Sequence, residues 1–237
     1  MLHHMQERAV PVSQASTDVA TVFLAKVFYW MAIGLGLTGV VAFLTAQSGL
    51  VHIIVRSPLF ILLVLGELGL VFFLSARVEK LQASTATGLF MGYSFLNGLT
   101  LATIFLAYTK ASIAGTFFIA AGMFGAMAVY GFVTKRDLTG FGSFLFMGLI
   151  GIVIASIVNL FMASSMLSWM ISGIGVIVFT GLTAYDVQKL SRMGTGGIME
   201  QGEAAVQKGA VIGALALYLD FINLFLMLLH FFGGSRD

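Results

Sequence analysis

Three acidic residues, Glu67, Asp186 and Asp220, stand inside long apolar stretches of this 237-residue chain. A charged side chain within a membrane span is costly unless it is paired or hydrated, so each such acid is by default a functional-site hypothesis. Two carboxyl groups held close together in a poorly solvated place cannot both ionise cheaply; they share a proton and titrate as a unit. Such a pair is a pH sensor. Loss of the last proton brings repulsion, which is relieved by capturing a cation, by pairing with an arginine, or by moving the helices apart. Calcium favours carboxylate and carbonyl oxygens, and Asp186 with Asp220 offers a weak, transient Ca2+ site rather than a closed calcium loop. The plainer alternative makes each aspartate a locally hydrogen-bonded structural acid, supported by Tyr185, Tyr218 and Asn223 nearby in sequence.

The elements that must position these acids follow from composition. Hydrophobic residues make up 59% of the chain and charged residues only 9%, with 12 Lys plus Arg against 10 Asp plus Glu. A soluble domain carries about a quarter charged residues, so a water-soluble enzyme is excluded. The 28 glycines, 22 phenylalanines, 13 methionines and two prolines fit an all-α bundle of membrane helices, where small residues allow close approach. The net charge of +2 comes from few, scattered basic residues and offers no nucleic-acid surface. With no cysteine, disulfides, thiolate metal sites and cysteine nucleophiles are all excluded.

A spanning helix needs about 20 mostly apolar residues. Seven such runs occur, near 28–46, 59–76, 85–106, 113–133, 143–163, 167–189 and 210–232. They are continuous rather than alternating, which excludes barrel strands. The expected organisation is an N-terminal tail over 1–22 and one seven-helix domain over 23–237, with a cytoplasmic loop at 190–209. The first run is not a cleavable signal, because Glu7, Arg8, Asp18 and Lys26 precede it. Gly88 with Gly92, and Gly209 with Gly213, are small-xxx-small pairs available for helix contacts.

Orientation follows from the cations. Arg8, Lys26, Arg77, Lys80, Lys135, Arg136, Lys189, Arg192 and Lys208 fall on the side of the N-terminus, against Arg56, Lys110 and Arg236 on the other. The positive-inside rule makes the first side cytoplasmic and places the C-terminus outside. Asp186 lies three residues from the cytoplasmic end of the sixth run, and Arg77 closes the second at a similar depth, so an ion pair between them is available. Asp220 comes level with Asp186 only if the last helix extends into water over 200–212 and enters the bilayer near Gly213. Glu67, in the middle of the second run, is either a protonated acid facing lipid or a helix, or part of a hydrophilic track with Arg77. His230 is expected at the interface, His3 and His4 in the tail and His52 in an outer loop. Four such separated histidines form no metal cluster.

The segment Phe179-Thr-Gly-Leu-Thr-Ala-Tyr-Asp-Val-Gln-Lys189, followed by Ala214-Leu-Ala-Leu-Tyr-Leu-Asp-Phe-Ile-Asn-Leu-Phe225, closely resembles the Bax inhibitor (transmembrane BAX inhibitor motif) family. Gly98-Leu-Thr-Leu, Gly122-Met-Phe-Gly-Ala-Met127 and Thr134-Lys-Arg-Asp-Leu-Thr-Gly-Phe-Gly142 are similar to its bacterial inner-membrane branch. The resemblance implies seven helices with the last one central, and a pH-dependent calcium leak without enzymatic activity. It implies that Asp186 and Asp220 are the proton sensor and ion gate near the cytoplasmic mouth, and that Arg77 locks one of them. Ca2+ is then cargo or a transiently bound ion, there is no other cofactor, and the partners are the lipid bilayer, Ca2+ and protons, with the chain a monomer.

Some bacterial relatives look instead like modulators of a membrane-anchored AAA protease, in which case the tail or the 190–209 loop would carry function. An intramembrane aspartyl protease also sets one aspartate on each of two helices, but there the second motif is of a Gly-x-Gly-Asp type, unlike Leu-Tyr-Leu-Asp-Phe.

Overall fold

The computed structural model describes residues 12–234, and these contain helices and no β-strand. In chain order the helices are α1 (Val12–Gln47), α2 (Leu50–Arg56), α3 (Leu59–Arg77), α4 (Ala83–Leu101) and α5 (Ile104–Ala107). There follow α6 (Lys110–Val133), α7 (Thr139–Met162), α8 (Ser165–Thr195) and α9 (Glu203–Phe232), with 3-10 turns at Val78–Lys80 and Ile198–Gln201. Seven segments are long and apolar enough to cross a membrane, as expected: α1, α3, α4 with α5, α6, α7, α8 and α9.

Burial sorts these spans. The most apolar stretch of α9 is 67% buried, whereas those of α3 and α7 are only 11% buried. A helix that is apolar all round belongs in a core, and α9 packs against α1, α4, α6 and α8 at once. Its fully buried Tyr218, Leu217, Leu224 and Leu228 form the axis of one continuous apolar cluster that runs from Phe23 on α1 to Leu229. The lipid-facing helices carry their large side chains outward, as Phe72, Phe144 and Phe161 illustrate.

Several boundaries differ from those the sequence suggests. Helix α1 begins at Val12, well inside the expected tail of 1–22, so the first span runs on at its N-terminal end. Arg8, Glu7, His3, His4 and Arg236 lie outside the described residues. The expected 190–209 loop shrinks to a short turn, because α8 continues to Thr195 and α9 already starts at Glu203. Gly197 and Gly202, at φ of 85° and 89°, supply the left-handed backbone that this tight connection needs. The early start of α9 is the extension that brings Asp220 level with Asp186.

Close approach is reserved for particular glycines. A Cβ at Gly213 would stand 2.7 Å from Leu190 Cδ2, and one at Gly209 2.5 Å from Ile198 Cδ1, so this pair lies at a real contact. Gly88 and Gly92 face nothing within 4 Å and make no such contact. The tightest contact between two helices is at Gly131 of α6, where a Cβ would run into the carbonyl of Ala184 on α8. Gly131→Val is therefore expected to cost about 1–3 kcal/mol through overpacking, whereas Gly92→Ala, with open space around it, should raise stability by up to about 1 kcal/mol. Thermal unfolding of the two variants in detergent checks the contrast.

Candidate functional site

Asp186 of α8 and Asp220 of α9 come together. Their carboxyl groups lie within hydrogen-bonding reach of each other. Both line a cavity of about 700 Å3 between α7, α8 and α9, with Ser75 of α3 also at its wall, at the end of the bundle that carries most of the cations. Asp220 is only 6% exposed, and no hydroxyl, amide or amine reaches its Oδ2. Two carboxyl groups this close are joined by a hydrogen bond only when one of them carries a proton, because an ionised carboxylate is an acceptor alone. The geometry therefore provides a place where a proton can be shared or a cation can replace it.

The surroundings differ in part from expectation. Tyr185 and Asn223 do line the cavity, though Asn223 spends its Nδ2 on its own helix, donating to the Leu219 carbonyl at 2.8 Å. The ring of Tyr185 lies against Gly142 of α7, where any side chain would collide with it. Tyr218 does not support the pair. Two residues from Asp220 on a helix, it points to the opposite side of α9. Arg77 is exposed at the end of α3 and makes no ion pair with either aspartate; the one ion pair among the described residues joins Arg192 to Asp137 at 2.9 Å. The cation beside Asp186 is Lys189, which lines the same cavity. Its spacing of one helical turn from Asp186 was available in the sequence, where it counted only toward orientation.

Glu67 proves to be helix-facing, at the root of a second polar cluster. Asn97 Nδ2 donates to Glu67 Oε2 at 3.1 Å, and Thr100 Oγ1 donates to Oε1 at 2.8 Å. The Tyr218 hydroxyl donates to Asn97 Oδ1 at 3.1 Å and sits 2.6 Å from Thr38 Oγ1, which also donates to the Ser94 carbonyl at 2.8 Å. Four helices, α1, α3, α4 and α9, are thus tied through one network. For α3, which otherwise buries only Leu74 in the core, it is a polar tether to the bundle. Asn97 and Thr100 share a face of α4 at a spacing of three, a signal that Gly98-Leu-Thr-Leu carries without revealing its partner.

Gln188, the last polar residue of the Tyr-Asp-x-Gln motif, has a positional role. Its Oε1 accepts from the Leu138 amide at 2.9 Å, and its Nε2 donates to the Arg136 carbonyl at 2.8 Å. These bonds clamp the connection between α6 and α7 onto α8, next to the cavity. At the rim, the Thr139 hydroxyl and amide hold the Asp137 carboxyl below the usual carboxylate range, and Arg192 adds to this. A lowered value contributes stability that is present above the unfolded carboxylate value and is lost as pH falls through the folded one. Gln188→Leu is expected to cost about 1–3 kcal/mol for each backbone group left unpaired. Asp137→Asn, fully solvated, should shift the unfolding temperature only slightly at neutral pH and not at all in acid. Detergent melting curves at both pH values measure these effects.

His230, near the C-terminal end of α9, is exposed. Its Nε2 lies 3.0 Å from Ser168 Oγ and its Nδ1 3.4 Å from the Tyr108 hydroxyl. His52 lies on α2, in the connection between the first two spans.

Comparison with known proteins joins these features to a family. The model of the family described as "Inhibitor of apoptosis-promoting Bax1" matches residues 20–237, a stretch that contains both aspartates. The chain is 53% identical over 216 residues to "Inner membrane protein YbhL" of Escherichia coli (strain K12), covering 90% of this chain and 92% of that protein. It is 48% identical over 217 residues to a protein of Borreliella burgdorferi, with 91% and 93% of the two chains covered. A protein of Deinococcus radiodurans aligns over all 237 residues at 46% identity. With its seven spans, its buried last helix and a match to the family model along nearly its whole length, this chain belongs to the Bax inhibitor family of membrane proteins.

Proposed function

We propose that this protein is a pH-sensitive cation leak of a bacterial inner membrane, carrying chiefly Ca2+, in which Asp186 and Asp220 form a proton-sharing gate. The observation that carries this reading is the meeting of the two carboxyl groups at the wall of a cavity of about 700 Å3, with no other donor serving Asp220 Oδ2. A proton on the pair satisfies both groups and leaves a single negative charge. Its departure sets two negative charges side by side in a poorly solvated site, where attraction for a divalent cation and pressure to separate α8 from α9 rise together. Lys189 offsets part of this charge at the cavity wall.

The inner-membrane assignment draws on the name of the Escherichia coli relative and on the apolar spans. The distribution of Lys and Arg puts the aspartate cavity on the cytoplasmic side and the C-terminus outside. In this reading the protein works as a monomeric passive conduit, with Ca2+ as its cargo and no covalent chemistry. The proposed Arg77 lock belongs to another conformation, since Arg77 is solvent-exposed in this one.

Flux of Ca2+ into proteoliposomes across a pH series tests the assignment. Wild-type flux should depend on pH, and Asp186→Asn combined with Asp220→Asn should flatten that dependence. A pH profile unchanged in the double variant would remove the aspartates from the gate. Arg77→Ala should raise flux at neutral pH if the lock operates; no increase would leave Arg77 a topological anchor.

A further inference from the structure

The aspartate cavity has a counterpart at the other end of the same three helices. It holds about 390 Å3 and is walled by Ser156 and Asn159 of α7, Ser168 and Ser172 of α8, and His230 of α9. The two cavities lie on one stripe. On α9, Asp220, Asn223, Met227 and His230 follow one another at steps of three and four and so share a face. On α8 the same steps lead from Ser168 and Ser172 through Gly175 to Phe179, Leu182 and Asp186.

Between the cavities, from Ser172 at the wall of one to Phe179 at the wall of the other, the stripe is apolar and closely packed. Ile152 of α7 is 6% exposed, and Val178 and Phe179 of α8 are 5% and 4% exposed. A Cβ on Gly175 would stand 2.8 Å from Cγ and Sδ of Met227, and one on Gly148 would stand 3.2 Å from Val178 Cγ2. Two glycines therefore make room for Val178 and for Met227, the half-buried residue that floors the His230 cavity. Ser172 and Phe179 are seven residues apart on α8, about 10 Å of rise. The apolar segment thus occupies about a third of a hydrocarbon layer ~30 Å thick.

We infer that the two cavities are opposite vestibules of one conduction path between α7, α8 and α9, and that Ile152, Val178 and Met227 form its hydrophobic gate. This rests on the leak reading above and assigns the ion a route. An apolar constriction excludes a hydrated ion until it widens or wets, while the polar walls on either side can hydrate one. The other polar cluster is a poorer route. Around Glu67 the donors and acceptors are spent on each other, and Tyr218 is fully buried in their midst. The cavity beside Thr38 holds only about 110 Å3.

The chain has no cysteine, so single cysteines can report access without prior substitutions. With a membrane-impermeant thiol reagent, Ser172→Cys should react only from the side of His230 and Ser143→Cys only from the side of Lys189. Ile152→Cys should react from neither side while the protein is shut. Met227→Ser, which wets the constriction, should raise Ca2+ flux in proteoliposomes severalfold at fixed pH, while the packing-conserving Met227→Leu should not. If the wild type conducts and Met227→Ser does not exceed it, or if Ile152→Cys in the shut protein reacts as fast as Ser143→Cys, the gate is overturned and the leak reading stands. A wild type that carries no Ca2+ at any pH overturns both.

Discussion

A carboxyl group 6% exposed on a helix packed against four others must have its charge or its proton accounted for by its immediate neighbours. For Asp220 the neighbour is another carboxyl group, on α8. A cavity borders the pair, and α7, α8 and α9 form most of its wall. Gly142 is bare so that the ring of Tyr185 can lie against α7. Gln188 pins the α6–α7 connection beside it, and α9 starts early enough to lift Asp220 to the level of its partner. A single proton is thus the smallest change that alters the balance of forces between two of the most tightly packed helices in the molecule.

The opposite side of α9 is built for constancy. Tyr218, Asn97, Thr100, Thr38 and Glu67 satisfy one another in a chain of donors that ends on a carboxylate. In hydrocarbon, where no water can substitute, such groups must be met internally. The network also explains how a helix as lipid-exposed as α3 stays attached. One helix therefore presents a site that can change on one face and a fully satisfied polar anchor on the other, two residues apart in sequence.

Much of this was legible in the residues. Apolar runs gave seven spans because, in lipid, length and hydrophobicity leave few alternatives, and intramembrane acids stand out against so uniform a background. The ends of the helices were less legible. The polar stretches flanking the first and last runs read as tail and loop, yet they continue as helix, because helical hydrogen bonding does not stop where hydropathy falls. Side-chain direction was harder still. Tyr218 was grouped with Asp220 by proximity in sequence, although two residues on a helix diverge by most of a half-turn. Lys189 borders Asp186 from one turn away on the same helix, a spacing the sequence holds, whereas the exposure of Arg77 is decided by packing. The partners of Glu67 lie on helices far away in sequence, beyond what spacing can specify.

The place of α9 also bears on how the protein is made. The most buried helix follows the other six described spans in the chain, so these are made before the core they enclose. Asn97 and Thr100 already have Glu67 of α3, but Asp186 meets the carboxyl group of Asp220 only once α9 is in place. The core of the bundle is therefore complete only with the thirty residues of α9.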